Sequence, residues 1–505
     1  MNCIRGIYMK WLVRCFMIPA LLIPSALLAA KNYRIVVLPF DKINKEKNLE
    51  LETLSIGISE TLSGALSNIN NFIVIDTYRV KKYLLQNAEF SQAIGVIEDR
   101  NIERLRKLTQ EKLEGDYLVY GSFYKIGNQI NLDAKFLNVE TGAVIKAASV
   151  HGFYPDKIFE LQEDLAKKLT GAINGTLNER QTENMNEFIN STSNYLAYQY
   201  YIQARVEHLK YNVKDYPQAL ALYKKSLAKD PGFALAWAGM CEVNALWGYQ
   251  IKYAGGPYKP MLEQAITNGL KAVELGRNLY QTHRALSLAY ANNDDFNKAR
   301  VAIEQGYALN NRDPEILFVK ATVTNYGYKE MGNPGTESNK YIMQCLSINP
   351  ELIVARWSLA YSLAILGKKD EALTEYEKIV KINERHAPSL HNIALIYYDK
   401  KDYRSTIQYA LKAVASDPDT PQHYYTLGLA YYGNKSWADA EKALHEAIKR
   451  KPDYPDAIYT LAGALYLQAR YREARDAYAG VLKLKPDYPE ARKWMKISED
   501  MMKEK

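Results

Sequence analysis

From residue 353 to 488, small and large apolar residues return every 34 positions. Counting back from Pro486, the small residue is Ala474, the large one in the same stripe is Tyr478, and a second stripe contains Leu461. The same offsets from Pro452 give Ala440, Leu444 and Leu427; from Pro418, Thr406, Ala410 and Ile393; from Glu384, Ala372, Tyr376 and Leu359. Two apolar stripes of helical spacing per period predict a helical hairpin as the repeating unit. Upstream the pattern continues with added loop. The units fall at 197–231, 234–277, 280–313, 314–350, 353–386, 387–420, 421–454 and 455–488. Insertions at 249–260 and 329–340 each join the first helix of a unit to its second, and either decorate one edge or are indifferent length changes. The doubled KPDYP at 451–455 and 485–489 marks junctions, where Pro and Asp end one helix and start the next. Residues 489–505 form a polar helix suited to closing the stack.

Residues 31–178 lack this period. YRIVVLPF and NFIVIDTY are apolar runs rich in Val and Ile, read as buried strands. Helical periodicity covers 51–66, RVKKYLLQNA, 96–114 and 157–175. DYLVYGSFYKIG, QINLDAKFLNVETG and AVIKAASVHG are strands joined by short turns, hence an antiparallel meander. The order is β-α-β-α-α-β-β-β-α. The fold class expected is therefore an α/β N-terminal domain with a mixed sheet, a polar linker over 179–196, and an all-α superhelical solenoid.

The start of the chain changes the setting. Arg5, Lys10 and Arg14 precede the apolar run CFMIPALLIPSALLAA, with no acid among the first 30 residues. This reads as a signal peptide over 1–30, cleaved after Ala29 or Ala30, with Met9 as an alternative start. The run is too short, and too interrupted by Pro19 and Pro24, for the ~20 residues of a membrane span. The expectation is export across the inner membrane to a periplasmic location, with outer-membrane association open. Without the leader the net charge of +8 falls to +5. Lysines and acids alternate, so no nucleic-acid face is expected. Cys241 and Cys345 fall at small-residue packing positions of different units and read as buried thiols.

Motif chemistry is sparse. Phosphate-loop, dinucleotide, nucleophile-elbow and HExxH patterns are missing, and no histidine pairs convincingly with a second ligand at metal spacing. The expectation is a non-enzymatic protein with no cofactor, metal or catalytic residue. The unusual feature is 40 tyrosines against 12 phenylalanines.

YTLGLAYY followed by WADAEKALHEAIKRKP resembles the tetratricopeptide repeat family almost position for position. That resemblance implies that first helices line a concave groove that captures a protein or peptide. The groove positions it implies are Trp357, Tyr361, His391, Leu395, Tyr398, Tyr425, Leu429, Tyr432, Tyr459 and Tyr466, with Ile365, Asp456 and Leu467 beside them. Asn392 matches one position of the family's carboxylate clamp. Trp357, Tyr361, Gln422 and Thr426 occupy the others, so no such clamp is expected. VVLPF, GDYLVYGS and FLNVETGAVI resemble the domain of the TolB, CsgG and FlgO group of bacterial envelope proteins. This implies envelope docking or assembly. The turns are too short for pore hairpins, and the group's lipid-anchoring cysteine is absent. The first expectation is an envelope scaffold with a protein or peptide partner. The alternative is an accessory of an outer-membrane secretion or motility complex that acts by self-association of the N-terminal domain.

Overall fold

The computed structural model describes residues 32–43, 48–67, 69, 72–75, 80, 99–171, 179–328 and 336–503. The leader, the helix expected over RVKKYLLQNA and most of the 329–340 insertion lie outside the described residues.

A six-stranded mixed sheet organises the N-terminal domain. Its strands are β1 (Tyr33–Val37), β2 (Asp41–Lys42), β3 (Phe72–Ile75), β4 (Tyr117–Ile126), β5 (Gln129–Asn138) and β6 (Val144–Phe153). The order is β3-β1-β4-β5-β6, with β2 also paired to β4. β1 runs parallel to β3 and β4, while β4, β5 and β6 form the antiparallel meander expected. Ile35 and Val37 alternate with Val36 along β1, so each face of the sheet receives its own core. α1 (Leu49–Leu66) and α3 (Ile158–Thr170) cover one face; α2 (Asp99–Lys112) covers the other.

The segment expected as a linker is structured instead. Residues Glu179–Ile189 form helix α4, and Met185 and Ile189 are buried in the core shared by α1 and α3. Its polar residues occupy the outer face, and the three apolar ones were too few to register as a stripe.

Eight helical hairpins follow. They are α5 (Tyr195–His208) with α6 (Tyr216–Lys229), α7 (Ala234–Ala254) with α8 (Lys259–Leu275), α9 (Tyr280–Asn292) with α10 (Phe296–Leu309), and α11 (Pro314–Tyr328) with α12 (Thr336–Ile348). The last four are α13 (Ile353–Ile365) with α14 (Lys369–Ile382), α15 (Ala387–Asp399) with α16 (Tyr403–Ser416), α17 (Pro421–Gly433) with α18 (Trp437–Arg450), and α19 (Pro455–Leu467) with α20 (Tyr471–Leu484). α21 (Pro489–Lys503) closes the stack. The 34-residue period is thus one hairpin, and Pro421, Pro455 and Pro489 stand at the helix starts, where their missing N–H is not needed.

Small residues set the closeness of each hairpin. Ala360, Ala394 and Ala462 on first helices, and Ala372, Ala440 and Ala474 on second helices, are fully buried. At Gly428 an added Cβ would lie 2.6 Å from Leu444 Cγ. Cys241 and Cys345 occupy similar sites. Both are buried and free; Cys241 Sγ donates to the Ala285 carbonyl of the next unit at 3.2 Å, and Cys345 Sγ to the Pro314 carbonyl at the start of its own unit at 3.0 Å.

The hairpin turns of the last four repeats share one backbone device. The N–H of Lys368, Asp402, Ser436 and Arg470 donates back to the carbonyl five residues earlier, at 2.9–3.0 Å. The residue before each donor is left-handed: Gly367 (φ 79°), Lys401 (61°), Lys435 (63°) and Ala469 (61°). This satisfies carbonyls at the helix end and stops the helix. Only the first of these turns uses glycine; the others carry the cost of a Cβ in this region. Lys435→Gly is expected to stabilise the chain by about 0.5–1 kcal/mol, net of the glycine's entropy, read as a raised urea midpoint at unchanged slope.

Candidate functional site

The concave surface of the solenoid divides into two regions. Over the first repeats it is covered by the chain's own N-terminal domain. Tyr198 on α5 donates its hydroxyl to the Gly57 carbonyl on α1 at 2.7 Å and meets Thr61 Oγ1 at 2.7 Å. Tyr154 donates to Glu50 at 2.6 Å and packs edge-on against Tyr195. At the far side, Arg34 on β1 donates to the Ser347 and Ile348 carbonyls at the end of α12, at 2.7 and 3.2 Å. Ile73 on β3 packs on the same cluster as Cys345 and Ile348. Between these contacts lies a cavity of about 160 Å³, walled by α1 and β3 on one side and by α5, α7, α9 and the start of α11 on the other.

A charged network lines this cavity. Arg284 on α9 donates from Nε to Glu242 on α7 at 2.7 Å, pairs with Glu315 on α11, and lies 3.5 Å from Asp313. Tyr280 donates to Asp313 at 3.1 Å and Tyr211 to Glu315 at 3.5 Å. Burial opposes the Arg284 charge, but the three carboxylates hold it protonated. Burial also pushes the Glu242 and Asp313 carboxyls up. For Glu315 burial acts in the same direction, yet the pull of Arg284 and Arg205 exceeds it and the carboxyl is held below its usual range. Sequence patterning missed this network. Its signal was a charge inside an otherwise apolar first helix, as in MCEVNALW and THRALSLAY. Among the described residues, no group of His, Cys, Asp and Glu is placed to hold a metal ion.

The superhelix also touches itself across its axis. Asn383 at the end of α14 donates to the Lys210 carbonyl at 3.2 Å and to Asn212 Oδ1 at 2.9 Å, and Lys214 reaches the Ala415 carbonyl at 3.2 Å. The 249–260 insertion lengthens α7 as helix to Ala254 instead of decorating an edge with loop. Its tip reaches the seventh repeat, where Gln422 Nε2 donates to the Tyr253 carbonyl at 2.9 Å.

Over repeats five to eight the expected groove residues fall into an aromatic ladder. Tyr398–Tyr403, Tyr432–Trp437 and Tyr466–Tyr471 are the same pair in three successive hairpins, with centroids 5.8, 5.3 and 5.2 Å apart. Tyr425–Tyr454 and Tyr459–Tyr488 repeat a second pair, bridging to the next junction at 5.0 and 5.1 Å. Trp357 stacks on Tyr361 with rings 7° from parallel. Such pairs contribute about 0.5–1.5 kcal/mol each beyond burial. Much of the tyrosine excess is therefore structural. Most of these rings are half-buried, as are Leu395 and Leu429. Tyr361 (46 % exposed), Ile365 (68 %) and Leu467 (46 %) are open. His391 is a correction. It is 5 % exposed, with its ring 5.2 Å from His423, because at that position the helix faces the neighbouring repeat.

Models of the tetratricopeptide repeat match residues 354–386, 391–443 and 431–495. The chain carries tetratricopeptide repeats. No curated protein matches it. Solved structures that resemble it include the APC/C hetero-tetramer Cut9–Hcn1, at 14 % identity over 68 % of this chain and 63 % of that one, TM-score 0.45. PilF of Pseudomonas aeruginosa shows 10 % identity over 43 % of this chain and 96 % of that one, TM-score 0.39. MamA (41 to end) of Desulfovibrio magneticus RS-1 shows 19 % identity over 34 % and 96 %, TM-score 0.31.

Two outcomes are expected. Arg284→Met leaves three buried carboxylates without their cation and should cost about 3–5 kcal/mol, measured by urea unfolding. Burial lowers His208 and His391 from about 6.5 to about 3, and His386 to about 4. A depressed imidazole contributes stability that is complete above pH 6.5 and is lost as pH falls toward the folded value. The urea midpoint should therefore decline between pH 6.5 and 5, above the range of ordinary carboxylates. A flat profile there would contradict the burial of these rings.

Proposed function

We propose that this chain is a non-enzymatic scaffold of the bacterial cell envelope that captures a protein or peptide in the concave surface of repeats five to eight. One observation carries the reading. The N-terminal domain already covers the concave face of the first repeats, while Tyr361, Ile365 and Leu467 leave apolar surface open further on. An extended segment or an amphipathic helix fits such a surface, with aromatic anchors supplying most of the affinity. The proposed contacts are Trp357, Tyr361, Leu395, Tyr398, Tyr425, Leu429, Tyr432, Tyr459 and Tyr466. The envelope setting is supported by the basic and then apolar start of the chain and by the resemblance of VVLPF, GDYLVYGS and FLNVETGAVI. Among the described residues, no helix is long and apolar enough to cross a membrane.

A second reading is self-association through the N-terminal domain. Its support is β6, an edge strand of ten residues on which Val144, Ile145 and Phe153 are exposed. Light scattering separates the two readings, since a particle of several chains favours the second.

Photocrosslinkers at Tyr361 and Ile365, used in the cell and read by mass spectrometry, should recover one protein reproducibly. Tyr361→Ala with Ile365→Asp should weaken its capture at least tenfold at unchanged melting temperature. Capture that survives both this pair and the triple alanine variant of Tyr425, Tyr432 and Tyr459 contradicts the groove.

A further inference from the structure

We propose that the cavity between the N-terminal domain and the first repeats is a binding site for a small zwitterion of the amino-acid class. Arg205 takes its carboxylate, and the carboxylate wall of Glu242 and Glu315 takes its ammonium. The site is separate from the groove of repeats five to eight and does not depend on it.

Arg205 sits on α5, lines the cavity and is half-buried. Withdrawing a guanidinium from water is unfavourable unless a counter-charge meets it. Among the described residues no side chain forms a hydrogen bond or an ion pair with the Arg205 guanidinium. Its charge is held by the field of Glu315 and neighbouring phenols. Arg284, one repeat further on, has three carboxylates around it. One cation in this cavity thus has three carboxylates around it, and the other, among the described residues, has no side chain in hydrogen-bond or ion-pair contact.

The balance of charge selects the ligand. Glu60, Glu242, Asp313, Glu315 and Glu351 line the cavity with two guanidiniums, Arg205 and Arg284, so carboxylate is in excess around Arg284. A simple anion would reach Arg205 but face that wall. A simple cation would reach the wall but face Arg205. A molecule with both charges a few atoms apart meets each with its opposite. Gln281 lines the same cavity, and its buried Oε1 is an acceptor with no hydrogen-bond partner. Tyr201, Tyr211 and Tyr280 supply aromatic wall between the charged ends. The volume of about 160 Å³ is that of roughly five waters, enough for a free amino acid and too small for a folded segment. Because α1 and β3 form one wall, an occupant would also fasten the N-terminal domain to the repeats.

The test is calorimetric titration of the full chain with the free L-amino acids at pH 7, with propionate and ethylamine as single-charge controls. At least one amino acid should bind at least tenfold more tightly than either control. Arg205→Gln should weaken it tenfold or more, and Gln281→Ala should weaken it measurably. Tyr361→Ala with Ile365→Asp should leave it unchanged. Circular dichroism melts check that each variant is folded, and Gln281→Ala carries the test if Arg205→Gln is not. The proposal is overturned if no amino acid binds, if a single-charge control binds as tightly, or if the folded cavity variants keep full affinity.

Discussion

A helical hairpin of 34 residues has an apolar face that only its neighbour can cover, and the architecture of this protein follows from that constraint. Each unit brings its two helices close by setting a small residue of one against a larger residue of the other, as Gly428 against Leu444. The left-handed turn residue and the aromatic pair beside it recur with the same period. Together they hold the angle between helices, so the superhelix is the sum of nearly identical local choices.

The ends of such a stack need covers of different kinds. At the C-terminus a polar helix closes it, with Ala491 buried inward. At the N-terminus the α/β domain does more than cap. It enters the concave side, anchored by Tyr198 on α1 and by Arg34 on α12, more than 300 residues away in sequence. Burying Arg284 and its carboxylates becomes tolerable there because every member but Arg205 is met by a partner. That asymmetry makes the cavity chemically selective, and the same domain position leaves the later repeats as the open surface.

Much of this was legible in the residues. The hairpins, their junction prolines, the small packing residues and the meander depend on local periodicity, which a single chain displays directly. Helix α4 was not legible, because its apolar residues are few and acquire meaning only against α1 and α3. His391 was misplaced for a related reason. The repeat register assigns it to the first helix, but a rotation of a few tens of degrees decides between groove and neighbour.

The sequence alone determined the repeating hairpin and the existence of two parts, since both rest on contacts between residues near in the chain. Which part of the groove is free, where the 249–260 insertion goes and which charges share a cavity were decided only by the tertiary structure. Those outcomes depend on the accumulated superhelical rotation, which brings Gln422 to Tyr253 and Arg284 to Glu315. Small angles summed over many repeats set that rotation, and no local pattern records the sum.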